Sequence, residues 1–280
     1  MGKRMNQKPE IDTDAFAAFE HEGWEDVCAG YEAHFGRLTR QSSNALLNAA
    51  EVAGDMRLLD VCCGPGMISA AAAARGAQAI GLDFSAATVK LAASRVPEAG
   101  FRQGDAGNLP FDDDEFDAAV CGFGIIHLPD PHRGLREMKR VVRPGARIGV
   151  SVWVAPQKGN GFGLIYGAIK AHADMNVTMP EGPDFFQFSE PEKLERTLAE
   201  TGLTEARSTI VDQFWDFERA EDMTRVIFEG MVRARGLVVA QTEPVRQAIV
   251  ADIETGMEKF RNAEGGYRVP MPAVVASGLK

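Results

Sequence analysis

Residues 57–66 read Arg57-Leu58-Leu59-Asp60-Val61-Cys62-Cys63-Gly64-Pro65-Gly66, an apolar run that ends in an acid and breaks into a glycine turn. The run predicts a short buried strand, and the turn predicts a strand-to-helix corner leading into a helix-forming stretch to Arg75. Glycine at 64 and 66 lets the backbone approach a ligand closely, and the N–H groups that open the next helix face it. Taken alone, a two-glycine corner reads equally well as a turn that needs glycine for packing. Its surroundings decide between the two.

Working downstream, Ala77–Leu82 forms a second apolar run, and Ser85 is placed to cap a helix to Val96. Phe101 lies in a third short strand, Asp117–Gly122 in a fourth and Arg147–Val154 in a fifth. Between the last two, Asp130-Pro131 reads as N-cap and first-turn proline of a helix that stops before Pro144-Gly145. Apolar strands alternating with helices predict a doubly wound α/β fold, a mostly parallel sheet covered on both faces. After Pro156 the alternation stops for about thirty residues. It resumes at Ser189-Glu190-Pro191-Glu192, which reads as a capping box opening a helix to Gly202. A strand near 206–211, helical stretches at 220–234 and 243–261, and one last strand over Tyr267–Val275 follow; its two prolines place that strand at a sheet edge. Upstream, Phe16, Phe19, Trp24, Val27, Tyr31 and Phe35 recur at helical spacings, predicting a helix to about Val52.

Composition narrows the partners. Of 280 residues, 45% are apolar and 25% charged, ordinary globular usage. Thirty basic against forty acidic residues give a net charge of −10, which disfavours nucleic acid because polyanion binding needs a concentrated positive face. The four cysteines, at 28, 62, 63 and 121, show no CxxC spacing, which argues against a zinc ribbon or a secreted disulfide framework and fits a reducing cytosol. The polar N-terminus has no signal-peptide core, and the longest alanine-rich stretch, Met67–Ala74, is far shorter than the ~20 residues of a membrane span. The expectation is a cytoplasmic protein without a membrane span; oligomeric state is not readable.

Three acids stand at successive strand ends. Asp60 closes the first strand. Asp83 closes the second, about twenty residues beyond the glycine corner, where a carboxylate can accept both hydroxyls of a ribose. Asp105, in Gly104-Asp105-Ala106, closes the third, where its carboxylate and the Ala106 N–H suit an adenine edge. Singly, each acid reads as a helix cap or loop residue. Together they mark the rim at which doubly wound sheets bind ligands, and they fit a nicotinamide or an adenosyl cofactor. The nicotinamide alternative is weakened because the corner continues Gly66-Met67-Ile68-Ser69, with serine at the third glycine of G-x-G-x-x-G.

Residues 58–66 (LLDVCCGPG), 80–85 (IGLDFS), 104–111 (GDAGNLPF) and 114–130 (DEFDAAVCGFGIIHLPD) resemble the ordered motifs of class I S-adenosylmethionine-dependent methyltransferases. Within that family they resemble the branch containing the ubiquinone- and menaquinone-biosynthesis C-methyltransferases. The motif-bearing match covers about residues 56–154, and the flanking segments resemble the family's variable caps only loosely. The resemblance implies that the Asp60–Gly66 loop, with Cys62 and Gly64, holds the methionine end of S-adenosylmethionine. It implies Asp83 on the ribose, Phe84 on the adenine face, Asp105 and Ala106 on the adenine edge, and the Cys121 carbonyl towards the cofactor's amino group. The family usually has glycine where Cys62 stands. The implied organisation is a tail (1–14), an N-terminal helical cap (15–55), a cofactor-binding core (56–155), a cap insertion (156–188) and the remaining core sheet (189–280) with a helical insertion at about 212–262.

A sulfonium is an activated donor, so the protein's work is positioning in a dry pocket. An acceptor that loses a proton calls for a base, and His127, just past the fourth strand, is the best-placed histidine. The alternative is that His127 packs or caps the helix at Asp130. His34 and His172 are further candidates, and His132 reads as solvated. Tyr31 is placed to reach the cofactor's carboxylate. Asp112-Asp113-Asp114-Glu115 reads as a solvated turn, not a metal site. The acceptor pocket is expected under segments 16–50, 156–188 and 212–262, with Phe185, Phe186, Phe188, Phe214, Trp215, Phe217, Phe228, Met175, Met179, Met223 and Met231 available to line it. The expected activity is methylation of a small, hydrophobic molecule, yielding S-adenosylhomocysteine. Its rivals are a relative that keeps the cofactor for a non-methylating step and a ligand-binding module without turnover.

Overall fold

The computed structural model describes residues 11–157 and 159–280. It opens with α1 (Thr13–Ala49), whose N-cap Asp12 accepts the Ala15 N–H at 3.0 Å. The helix therefore begins inside the stretch read as a tail, and residues 1–10 lie outside the described residues. At 37 residues it is about 55 Å long. Its C-terminal part packs Leu46 and Leu47 beneath the central sheet with Leu58, Ala118 and Val120. Its N-terminal part runs beyond the sheet and covers the crevice described below.

The core alternates as its apolar runs require: β1 (Arg57–Val61), α2 (Met67–Ala73), β2 (Gln78–Asp83), α3 (Ala86–Arg95), β3 (Gly100–Gln103), β4 (Phe116–Gly122), a 3-10 turn (Ile125–His127), α4 (Pro131–Val141) and β5 (Val142–Trp153). Then come α5 (Gly161–His172), α6 (Pro191–Glu200), β6 (Thr204–Val211), β7 (Phe214–Phe217), α7 (Glu221–Gly230), α8 (Val232–Val239), α9 (Glu243–Met257), β8 (Tyr267–Pro270) and β9 (Ala273–Leu279). The sheet order is β3-β2-β1-β4-β5-β9-β6, parallel through β5 and antiparallel at β9 and β6. Strand order reverses between β1 and β4, so a crevice opens at their carboxyl ends.

Three sequence expectations need correction. Tyr267–Val275 is two strands in two sheets. Pro270 is the last residue of β8 and Pro272 lies in the connection to β9, so both prolines stand at strand ends. β8 pairs with β7, in a segment read as helical, while β9 lies between β5 and β6 in the sheet interior. The capping box at Ser189 does not form: Glu190 is the N-cap and its side chain makes no cap bond, pairing instead with Lys193, and Pro191 is the first helical residue. The Ser189 hydroxyl is instead buried without a partner. The helical stretch at 220–234 breaks at Met231, whose backbone is extended (φ −126°, ψ 121°). Among the described residues no helix is long and apolar enough to cross a membrane.

Candidate active site

A cavity of about 390 Å³ occupies the crevice. Its floor is Cys62, Gly64 and Pro65 after β1, Asp83 and Phe84 at the end of β2, Asp105 after β3, and Gly122, Phe123, Gly124 and His127 after β4. Its roof comes from α1, with Glu20, His21, Trp24, Cys28 and Tyr31. Of the residues singled out in the sequence, Tyr31, Cys62, Gly64, Asp83, Phe84, Asp105 and His127 meet here.

Asp60, Gly66, Ala106 and Cys121 lie outside the wall. Gly66 is the N-cap of α2, in a left-handed conformation (φ 86°) and without a side chain to satisfy the helix's free N–H groups. Asp60 supplies that acceptor from β1: its Oδ2 takes the Ser69 N–H at 3.0 Å and the Ser69 hydroxyl at 2.7 Å. Oδ1 is buried without a partner. Burial pushes the Asp60 carboxyl up to about 7, against the opposing Ser69 hydrogen bonds. Cys121 is sealed inside β4, and Gly122 is the residue that reaches the wall. Ala106 is buried beside the rim.

Cys62 carries φ 56°, the left-handed region that glycine favours, so the corner keeps its shape with a side chain in place. That side chain lies against Cys121 and Gly124, where a Cβ added to Gly124 would stand 2.3 Å from the Cys62 Cβ. Vicinal Cys62 and Cys63 are both unbridged thiols. Asp83 is buried and doubly held, with Oδ2 accepting the Gly64 N–H at 3.0 Å and Oδ1 the Ser85 N–H at 3.1 Å. Desolvation raises its pKa, while these backbone donors oppose the rise. Phe84 meets the edge of His21. Asp105 is exposed at the rim, with Oδ1 accepting the Gly107 N–H at 2.7 Å. Tyr31 stacks on Phe35, and burial followed by the Asp83 charge pushes its phenol up.

His127 is anchored by residues the sequence reading did not single out. Its Nδ1 lies 2.9 Å from Oε2 of Glu20, a side chain only 2% exposed on α1. Oε2 also accepts the Trp24 indole N–H at 3.0 Å, and Oε1 accepts Nε–H of Arg233 on α8 at 2.7 Å. Arg233 further donates to the carbonyls of Pro183 and Ile126 at 2.8 and 3.0 Å, between the rings of Phe16 and Phe185. A visible signal existed: Glu20 falls four residues from both Phe16 and Trp24, an acid on the apolar face of a helix. His127 does not cap α4, because Asp130 does so itself, accepting the Arg133 N–H at 2.9 Å.

The other histidines stand elsewhere. His34 pairs with Glu229 at 2.6 Å, His172 with Asp252 at 3.1 Å, and His132 is exposed. The acidic run is committed to ion pairs, Asp113 with Arg140, Asp114 with Lys280 and Glu115 with Arg57. The aromatics and methionines expected to line an acceptor pocket are absent from the wall of the main cavity, because α1 alone roofs it. Phe185 and Met231 instead border a smaller hollow of about 30 Å³, which shares Trp24, Tyr31, Phe123 and His127 with the main cavity. Met223, Trp215 and Phe188 are core, and Met175 is exposed.

Fold and rim together define a doubly wound α/β protein with a nucleoside-sized site at its switch point. Residues 59–150 match the methyltransferase-domain family, and the chain is 33% identical over 186 residues to a demethylmenaquinone methyltransferase of Desulfitobacterium hafniense, spanning 58% of this chain and 71% of that protein. This chain belongs to the class I S-adenosylmethionine-dependent methyltransferase family, in its menaquinone-biosynthesis-like branch. A demethylmenaquinone methyltransferase of Clavibacter sepedonicus is 41% identical over 110 residues, 38% of this chain and 44% of that protein. The chain thus spans about half the length of several curated relatives it matches. Among solved structures, YcgJ of Bacillus subtilis superposes with a TM-score of 0.52 at 20% identity, over 85% of this chain and 97% of that one. Phosphoethanolamine N-methyltransferase 2 of Haemonchus contortus, in complex with S-adenosylmethionine, superposes with a TM-score of 0.56 at 16% identity, over 95% and 60%. Likeness at these identities is likeness of fold.

Proposed function

We propose that this chain methylates a small, hydrophobic acceptor with S-adenosylmethionine, releasing S-adenosylhomocysteine. The observation that carries the reading is the gathering of Gly64, Asp83, Asp105 and His127 on one cavity of about 390 Å³. The cavity has the size and mostly apolar wall of a small-molecule site. A Cβ added to Gly64 would meet nothing within 4 Å, so the corner presents open space to a ligand.

When bound, S-adenosylmethionine supplies an electrophilic methyl carbon. Asp83 holds the ribose: each oxygen accepts one backbone N–H, which leaves lone pairs for hydroxyl donors. Phe84 covers the adenine face, and Asp105 with the Ala106 N–H reads its edge. The corner from Cys62 to Gly66 takes the methionine end, with Asp60 stiffening it from behind, the carbonyl of Cys121 or of adjacent Gly122 facing the amino group, and Tyr31 near the carboxylate. His127 takes the proton that the acceptor loses. Residues 56–155 form the cofactor-binding core in this reading, and the N-terminal helix closes it. The relatives' names support a quinol-type acceptor, the acidic balance disfavours nucleic acid, and four free cysteines support a cytoplasmic location.

Calorimetry with S-adenosylmethionine and S-adenosylhomocysteine, followed by a labelled-methyl assay over a panel of quinols and phenols, tests the proposal. Heat with both nucleosides and label in one acceptor is the expected result. Heat without transfer to any acceptor favours a non-methylating enzyme or a ligand-binding module, and no heat with either nucleoside overturns the reading.

A further inference from the structure

We propose that Glu20 is the positioning residue of His127: it accepts the imidazole Nδ1–H and so fixes the tautomer whose bare Nε2 serves as the base. The inference rests on the methyl-transfer reading of the same site and adds how its base is set.

Burying a carboxylate is costly. Glu20 lies on the apolar face of α1, where an unpaired charge is strongly unfavourable. Three donors converge on it. The indole of Trp24 and the guanidinium of Arg233 can only donate. Arg233 is also fixed, since its remaining nitrogens are engaged by the Pro183 and Ile126 carbonyls and its Cζ stands 4.6 and 5.3 Å from the ring centroids of Phe16 and Phe185. Burial raises the Glu20 pKa, the imidazole and the Arg233 guanidinium beside it hold the group below the usual carboxylate range, and the two fixed donors Trp24 and Arg233 suit an ionised carboxylate whatever the state of the ring.

An ionised carboxylate has no proton to give. The 2.9 Å contact with His127 Nδ1 therefore requires Nδ1 to be the donor. A neutral imidazole has one N–H, so Nε2 is left with its lone pair, on a ring that lines the cavity. The edges of Trp24 and Phe185, 4.9 and 5.4 Å away between centroids, hold the ring plane. When the acceptor's proton passes to Nε2, its bonding pair stays with the acceptor and the new imidazolium faces an anion already in place. Glu20 touches no reacting atom and acts only through His127. Because α1, the 3-10 turn, α8 and the Pro183 segment all meet at Glu20 and Arg233, the base is set by the packing of the helical cap.

Long-range ¹H–¹⁵N NMR of the imidazoles in the full-length, ligand-free protein reads the tautomer without any turnover. The expected wild-type result is the Nδ1–H form at His127, and a predominant Nε2–H form overturns the proposal even if every variant misfolds. In kinetics, Glu20→Gln is expected to lower kcat at least tenfold while the KM for S-adenosylmethionine stays within about twofold. Added to His127→Ala, it is expected to change kcat less than twofold, because the effect runs through the histidine. A Glu20→Gln enzyme that keeps wild-type kcat, or that costs as much on the His127→Ala background, overturns the proposal. An NMR result of Nδ1–H in a protein that methylates nothing would instead locate the failure in the methyl-transfer reading.

Discussion

The Gly64 N–H donates to Asp83 Oδ2 across 3.0 Å, so the glycine corner after β1 is tied to the acid that ends β2. One carboxylate thereby holds the loop after β1 as well as the turn after β2. Asp83→Ala is expected to raise the cofactor Kd about 10- to 100-fold, the equivalent of roughly 1.5–3 kcal/mol for charge-assisted hydrogen bonds. It should also lower Tm, because the Gly64 and Ser85 N–H groups lose their acceptor. Calorimetry and a thermal melt read the two effects, and wild-type affinity in the variant contradicts the ribose assignment.

His127→Ala separates a base from a packing residue. With base catalysis, kcat falls about 10²- to 10⁴-fold while cofactor affinity stays near wild type. Steady-state rates beside calorimetry measure both, and undiminished kcat rejects the base.

Asp60 makes stability depend on pH in a stated direction. Its folded pKa, about 7, lies above the ordinary value of 3.8 because burial disfavours the charged form. Between these values the folded state binds more protons than the unfolded chain, so this group's contribution is fully present below pH 3.8 and is lost as pH rises towards 7. Asp60→Asn keeps an acceptor for Ser69 and cannot ionise. Relative to wild type, the variant should gain on the order of 1–3 kcal/mol between pH 5 and pH 8. Denaturant midpoints at the two pH values test this, and parallel shifts in both proteins disprove it.

Gly124 is small for reasons of space, since its φ of −85° suits any residue. Its added Cβ would collide with the Cys62 Cβ and with the sulfurs of Cys62 and Cys121. Gly124→Ala is expected to cost about 1–3 kcal/mol of stability by overpacking. Cys62→Gly should rescue most of that loss, because it removes the obstructing side chain at a position whose φ already suits glycine. Melting curves of the two single variants and the double variant decide the matter.

The parallel half of the fold is legible in the sequence because β1, β2, β4 and β5 are covered on both faces and read as apolar runs, those of β1, β2 and β4 with an acid or glycine at or near their ends. The position of β9 is not legible, since its two nearby prolines carry an edge-strand signal while the pairing with β5 and β6 is settled far away in sequence. The rim acids at 83 and 105 can be read from spacing. Asp60 sits at the same kind of position, yet it turns to its own helix because Gly66 has no side chain with which to cap it. Glu20 and Arg233 are 213 residues apart, and nothing local to either announces the other. Reading Glu20 as a misplaced charge on a buried helical face is as far as the sequence goes.

The interior place of β9 bears on how the protein is made. All five parallel strands have been synthesised by Trp153, but the flank of β5 waits roughly 120 residues for Ala273–Leu279 to emerge. Until then an open edge built around Ile148, Val150 and Val152 is available to any other nascent chain. A ribosome stalled in that interval leaves the five parallel strands made and the flank of β5 unpaired.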